Sequence, residues 1–126
     1  MKLNYDCVRD LLLYLEENLQ YGSQININNM QLKNYSQHEI LYTADKLLEA
    51  EYLDGELIML LDGEVPEIHI VSITWNGHQF LDNIRDNKVW EHTKGVVSKF
   101  SSVSIGIISN IASQVISSLI KTQLGL

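Results

Sequence analysis

Apolar residues return along this chain at three- and four-residue steps, interrupted by short apolar runs, and that pattern predicts its elements. Over residues 5–19, Val8, Leu11, Leu12, Leu15 and Leu19 share one helical stripe, and Asp6 and Asp10 suit the positive end of its dipole. Gly22 follows as a stop. The segment Gln24-Ile25-Asn26-Ile27-Asn28 alternates polar and apolar, which predicts a short strand. Residues 29–34 then leave room for about a turn and a half of helix. Ser36 and Glu39 stand at capping-box spacing ahead of a second helix, whose apolar face is Ile40, Leu41, Ala44, Leu47 and Leu48. That helix should stop near Glu51, where a left-handed conformation would cost about 1 kcal/mol. Leu53-Asp54-Gly55 reads as a turn into a strand.

Residues 57–61 and 68–73 are apolar runs of strand length. Asp62-Gly63 and Pro66 punctuate the connection, which predicts a hairpin with a loop longer than two residues. Thr74 caps a further helix carrying Trp75, Phe80, Leu81 and Ile84, and Arg85-Asp86-Asn87-Lys88 is a polar break. Val89, Trp90, Val96, Val97 and Phe100 continue helically, with Gly95 as the weak point. Residues 100–120 carry no charge. There Val103, Ile107, Ile111, Val115 and Leu119 form a row that Ile108, Ala112, Ile116 and Ile120 widen. The result is an amphipathic helix with a broad apolar face.

Helix, hairpin, helix at these lengths, with a third strand at residues 24–28, predicts an α+β fold. Specifically, residues 1–94 should form a winged helix-turn-helix-like domain with a three-stranded antiparallel wing sheet, and residues 95–126 an appended C-terminal oligomerisation helix. Leu47-Leu48-Glu49-Ala50-Glu51-Tyr52-Leu53 looks like the end of a recognition helix entering a wing. Ile73-Thr74-Trp75-Asn76-Gly77-His78-Gln79-Phe80-Leu81 looks like the exit from that wing. On these stretches the chain resembles a family of small winged-helix proteins of phages and prophages. The resemblance implies a fold and a genomic setting, and it carries no activity with it. Two departures stand out: the helix before Ser36 is short for a helix-turn-helix, and Glu51 occupies a position where relatives of the motif have glycine.

Charge changes the picture more than length does. The formal charge is −7, and the acidic residues lie before Lys94. The helix face pointing away from the core should present His38, Glu39, Tyr42, Thr43, Asp45, Lys46 and Glu49, and the hairpin brings Asp54, Glu56, Asp62, Glu64 and Glu67 with no Lys or Arg. Phosphate backbones are gripped by cations and N–H groups, so this face disfavours DNA unless dimerisation gathers Lys2, Arg9 and Lys33. The one cysteine, Cys7, excludes an intramolecular disulfide and fits a small buried hydrophobe in a reducing, cytoplasmic setting; no apolar leader is visible at the N-terminus.

Catalytic chemistry has no constellation to rest on. His38, His69, His78 and His92 sit in separate elements without metal-ligand spacing, the glycines form no phosphate cradle, and the carboxylates are dispersed. The expectation is therefore a non-enzyme with no catalytic residues, metal or cofactor. It should act as an interaction or regulatory module of a mobile element, meeting a protein partner through Tyr42, Asp45, Lys46 and Glu49. It should self-associate through Val103, Ile107, Ile108, Ile111, Val115 and Leu119. A sequence-specific DNA-binding regulator is the alternative. A membrane-active tail is the third reading, since an uncharged stretch of 21 residues is long enough to span a bilayer.

Overall fold

The first helix, α1 (Tyr5–Asn18), begins where Asn4 Oδ1 accepts the backbone N–H groups of Asp6 at 3.0 Å and Cys7 at 3.3 Å. This cap satisfies two of the four donors that a helix start leaves unpaired. The computed structural model describes residues 1–126, which form five α-helices and one three-stranded antiparallel sheet. The chain divides into two compact units, Met1–His78 and Gln79–Leu126. The division falls well before the boundary after residue 94 expected from sequence, and the two helices of residues 87–124 pair with each other in the second unit.

In the first unit the alternating segment gives only a two-residue strand, β1 (Ile25–Asn26), followed by a single 3-10 turn at Ile27–Asn29. No α-helix forms between that turn and Ser36; Asn34 turns the chain with a positive φ of 78°. The second helix, α2 (Gln37–Glu49), starts where Ser36 Oγ accepts the N–H of Glu39 at 3.1 Å. It ends with Glu51 at φ 62°, the left-handed position that the sequence marked as costly.

The hairpin strands are β2 (Leu53–Ile58) and β3 (Glu67–Ile73), in the order β1-β3-β2. Leu53-Asp54-Gly55, expected as a turn, is strand, while residues 59–61, expected as strand, lie beyond it. The reason is a close approach: a Cβ on Gly55 would sit 2.1 Å from the carbonyl oxygen of His69 on β3. Glycine is therefore present for strand-to-strand contact at an irregularity in register, between Asp54 and Gly55. Asn28 extends the sheet with its side chain, accepting the N–H of Ile68 at 2.9 Å and donating to the carbonyl of Pro66 at 3.0 Å.

Helices α1 and α2 pack together and on the sheet. Val8, Leu11, Leu12 and Leu15 from α1, Ile40, Ala44 and Leu47 from α2, and Ile68 and Ile70 from β3 are buried. The helical ones are positions that periodicity assigned inward, whereas Leu19 and Leu48 of the same stripes are only half-buried. Thr43, expected outside, is buried instead. Its hydroxyl donates to the carbonyl of Glu39 at 2.8 Å, which lets a polar side chain enter the α1–α2 layer.

The third helix, α3 (Trp75–Ile84), is capped by Thr74 and crosses from one unit into the next. In the second unit, α4 (Asn87–Val97) starts from an Asp86 cap and pairs with α5 (Ile105–Leu124). The tail helix thus begins at Ile105, not at Phe100. Serines explain the break: Ser98 Oγ donates to the Gly95 carbonyl at 2.8 Å at the end of α4, and Ser104 caps α5 through the N–H of Ile107 at 3.4 Å. Such local bonds compete with helix continuation.

Candidate functional site

The partner-face residues stand together on α2. Lys46 Nζ lies 2.5 Å from Glu49 Oε2 and 5.5 Å above the ring of Tyr42. The hydrogen bond that Lys46 donates to the Glu49 carboxylate pushes its ammonium pKa above the ordinary value, so it stays charged but neutralised by its neighbour. Tyr42 and Asp45 line a cleft with His38, Leu41, Val65 and Pro66. The outer side of α2 is therefore continuous with the returning end of the hairpin loop, a juxtaposition that no sequence spacing could supply.

Beyond that cleft the hairpin ends in apolar side chains that are partly or wholly open to solvent. Leu57, Ile58, Met59, Leu60, Leu61 and Val65 are all exposed, Met59 by 65 % and Leu61 completely. Leu57 pairs with Ile68, so the two share a sheet face, yet Ile68 is buried and Leu57 is partly exposed. The loop is held: Gly63 N–H donates to the Leu60 carbonyl at 3.2 Å with Gly63 at φ 73°, and Glu64 N–H donates to Asp62 Oδ1 at 3.1 Å. The strand expected over residues 57–61 ends at Ile58, and the apolar residues beyond it form this surface. The available signal was the lack of alternation in five consecutive apolar residues ahead of Asp62-Gly63.

The acidic positions Asp54, Glu56, Asp62 and Glu64 are exposed around the arm, and no Lys or Arg occurs from Leu47 to Ile84. Glu67 is more engaged, accepting from Asn26 Nδ2 at 3.0 Å, with His69 Nε2 3.2 Å away. That imidazole nitrogen is shut from water without an aligned hydrogen-bond partner. His78 instead lines a separate cleft with Leu15, Leu19 and Val71. No group of three His, Cys, Asp or Glu side chains is placed to hold a metal ion. Cys7 is fully buried with its sulfur 3.4 Å from Thr43 Oγ1, and burial pushes its thiol upward, away from reactive thiolate character.

The six tail residues do not share one environment. Val103 precedes α5 and is half-buried. Ile108 is buried, 2 % exposed, as is Ala112, and both belong to the inward side of α5. Ile111 and Val115 line a groove with Lys88, His92 and Val96 of α4. Ile107 and Leu119 stand exposed, and Ile120 and Leu124 extend that apolar surface to the helix end.

The family described as Hypothetical protein (DUF2513) matches residues 2–104, from the first helix to the residue before α5. A Haemophilus influenzae protein described as "Uncharacterized protein" is 28% identical over 127 residues, covering 95% of this chain and 99% of its own. No solved structure matches.

Proposed function

The chain belongs to the DUF2513 family, and we propose that it is a non-enzymatic interaction or regulatory module with a winged-helix-like domain. In this reading α2 takes the recognition-helix position, β2 and β3 form the wing, and α5 holds copies of the chain together in a mobile-element setting. One observation carries it: large apolar side chains stand exposed at the hairpin end and along α5, on ordered elements. Apolar patches of this kind on a soluble chain mark contact surfaces more often than chemistry. The acidic arm argues for protein and against nucleic acid as the partner, because each carboxylate facing phosphate opposes binding.

Light scattering on the full chain tests the self-association. An oligomer that Ile107→Asp with Leu119→Asp converts to a folded monomer supports the reading, since both side chains are exposed within one copy. A chain that is monomeric at every concentration would sink it. A second reading has its own observation: α5 is 20 residues long, with a mean hydropathy of 1.2 and 11% of the apolar window buried. Length and composition suffice to cross a bilayer. Flotation of the full chain with neutral phospholipid vesicles would favour that reading over self-association.

A further inference from the structure

We propose that the hairpin arm is a docking site for a cationic amphipathic protein segment, one that sets an apolar stripe on Leu57, Met59, Leu60 and Leu61 and Lys or Arg side chains against the flanking carboxylates. The proposal rests on the reading of the chain as an interaction module and names the chemistry of the partner. Its first support is the set of hydrogen bonds that define the arm. The base of the arm is fixed by Asn28, which bonds both Pro66 and Ile68, and by Asn26 on Glu67. Its end is fixed by the Leu60–Gly63 turn and the Asp62–Glu64 side-chain bond. Backbone groups already bonded within the arm do not have to be paired anew on binding.

The second support is charge complementarity. Asp62 and Glu64 are exposed at the end of the arm beside Leu61, Asp54 and Glu56 are exposed along β2 with Glu56 on the sheet face opposite Leu57, and no Lys or Arg occurs in the sequence from Leu47 to Ile84. An anionic bilayer or a nucleic acid would meet uncompensated repulsion there, whereas Lys and Arg flanking an apolar stripe are attracted and held in register. The third is continuity. The cleft holding Tyr42 and Asp45 opens beside Val65 and Pro66, so a segment lying along the arm reaches an aromatic ring and a further carboxylate on α2. Apolar area supplies the affinity in such a contact, and the charges choose the partner.

The test uses the full chain and three probes: a synthetic helical peptide with Leu on one face and Lys on the other, its counterpart with Glu for Lys, and phosphatidylcholine vesicles. The Lys peptide should bind, more weakly as salt rises, the Glu peptide should not, and phosphatidylcholine vesicles should not compete with the Lys peptide. Leu60→Ser with Leu61→Ser keeps every charge and should weaken binding by about tenfold or more, as expected for two leucines that are wet in the free protein. Asp62→Asn with Glu64→Gln should flatten the salt dependence. Equal binding by the serine variant, equal binding of the Glu peptide, vesicle binding that the two serine substitutions abolish, or no binding at all would each overturn the proposal. Light scattering on the same samples separates the two claims. An oligomer that ignores the Lys peptide loses only the arm assignment, whereas a monomer that ignores it removes the interaction reading as well.

Discussion

Thr74 Oγ1 donates a 2.6 Å hydrogen bond to the carbonyl of Glu51, joining the end of α2 to the start of α3 across the whole hairpin. The same oxygen accepts the N–H of Gly77 at 3.0 Å, so one hydroxyl both caps α3 and closes the hairpin's base. Thr74 N–H adds a bond to the Tyr52 carbonyl at 3.1 Å. Thr74→Ala should therefore destabilise the fold by about 1–2 kcal/mol, the upper part of the range for a lost cap, because two bonds go together. Thr74→Ser should restore most of it. Thermal melting of the two variants checks this; an unchanged midpoint for the alanine variant would show that the hydroxyl contributes nothing.

Glu51 and Gly77 flank that junction and should respond in opposite directions. Glu51 holds φ 62°, where a side chain is strained, so Glu51→Gly should stabilise by about 1 kcal/mol. Gly77 lies where a Cβ would come 2.1 Å from the carbonyl oxygen of Tyr52. Gly77→Ala should cost about 1–3 kcal/mol despite the better helix propensity of alanine. Chemical denaturation of both variants reads the sign directly.

Tyr35 gives a pH dependence. Its hydroxyl donates to Asp10 Oδ2 at 2.7 Å, and burial together with that carboxylate raises it above the ordinary value of 10.0. A phenol raised in the folded state contributes stability that is complete below pH 10 and declines as pH rises towards the folded value. Tyr35→Phe should cost about 1 kcal/mol at neutral pH. The gap between variant and parent should close in alkaline denaturation series; a gap constant above pH 10 would contradict the assignment.

Duplex DNA supplies a further test. At physiological salt the chain should show no measurable binding in an anisotropy titration, given an arm with exposed Asp54, Glu56, Asp62 and Glu64 and a Lys46 already paired with Glu49. Sub-micromolar binding with a steep salt dependence would reverse the order of the functional readings.

What the sequence made legible were features with a local cause. The caps at Ser36 and Thr74, the polar break before Asn87 and the inward stripes of α1 and α2 follow from side chains acting on nearby backbone or from simple periodicity. What stayed hidden depends on distant chain. Gly55 carries the same letter in a turn as in a strand, and only the carbonyl of His69 distinguishes them. Thr43 is polar in any window, and its burial needs α1 alongside. The two tail rows are equally apolar on paper, and α4 decides that Ile108 and Ala112 turn inward while Ile107 and Leu119 remain wet. The cleft joining Tyr42 to Pro66 arises from the return of the hairpin loop beside α2.

The amide of Asn28 has a consequence for the lifetime of the folded chain. An open sheet margin offers free donors and acceptors on which further strands can grow into fibrils. On the β1 side that margin is two residues long, and the next donor and acceptor pair, Ile68 N–H and Pro66 carbonyl, is already taken by a side chain. An incoming strand would have to displace an intramolecular amide before it could pair, so this flank of the sheet is a poor template for aggregation.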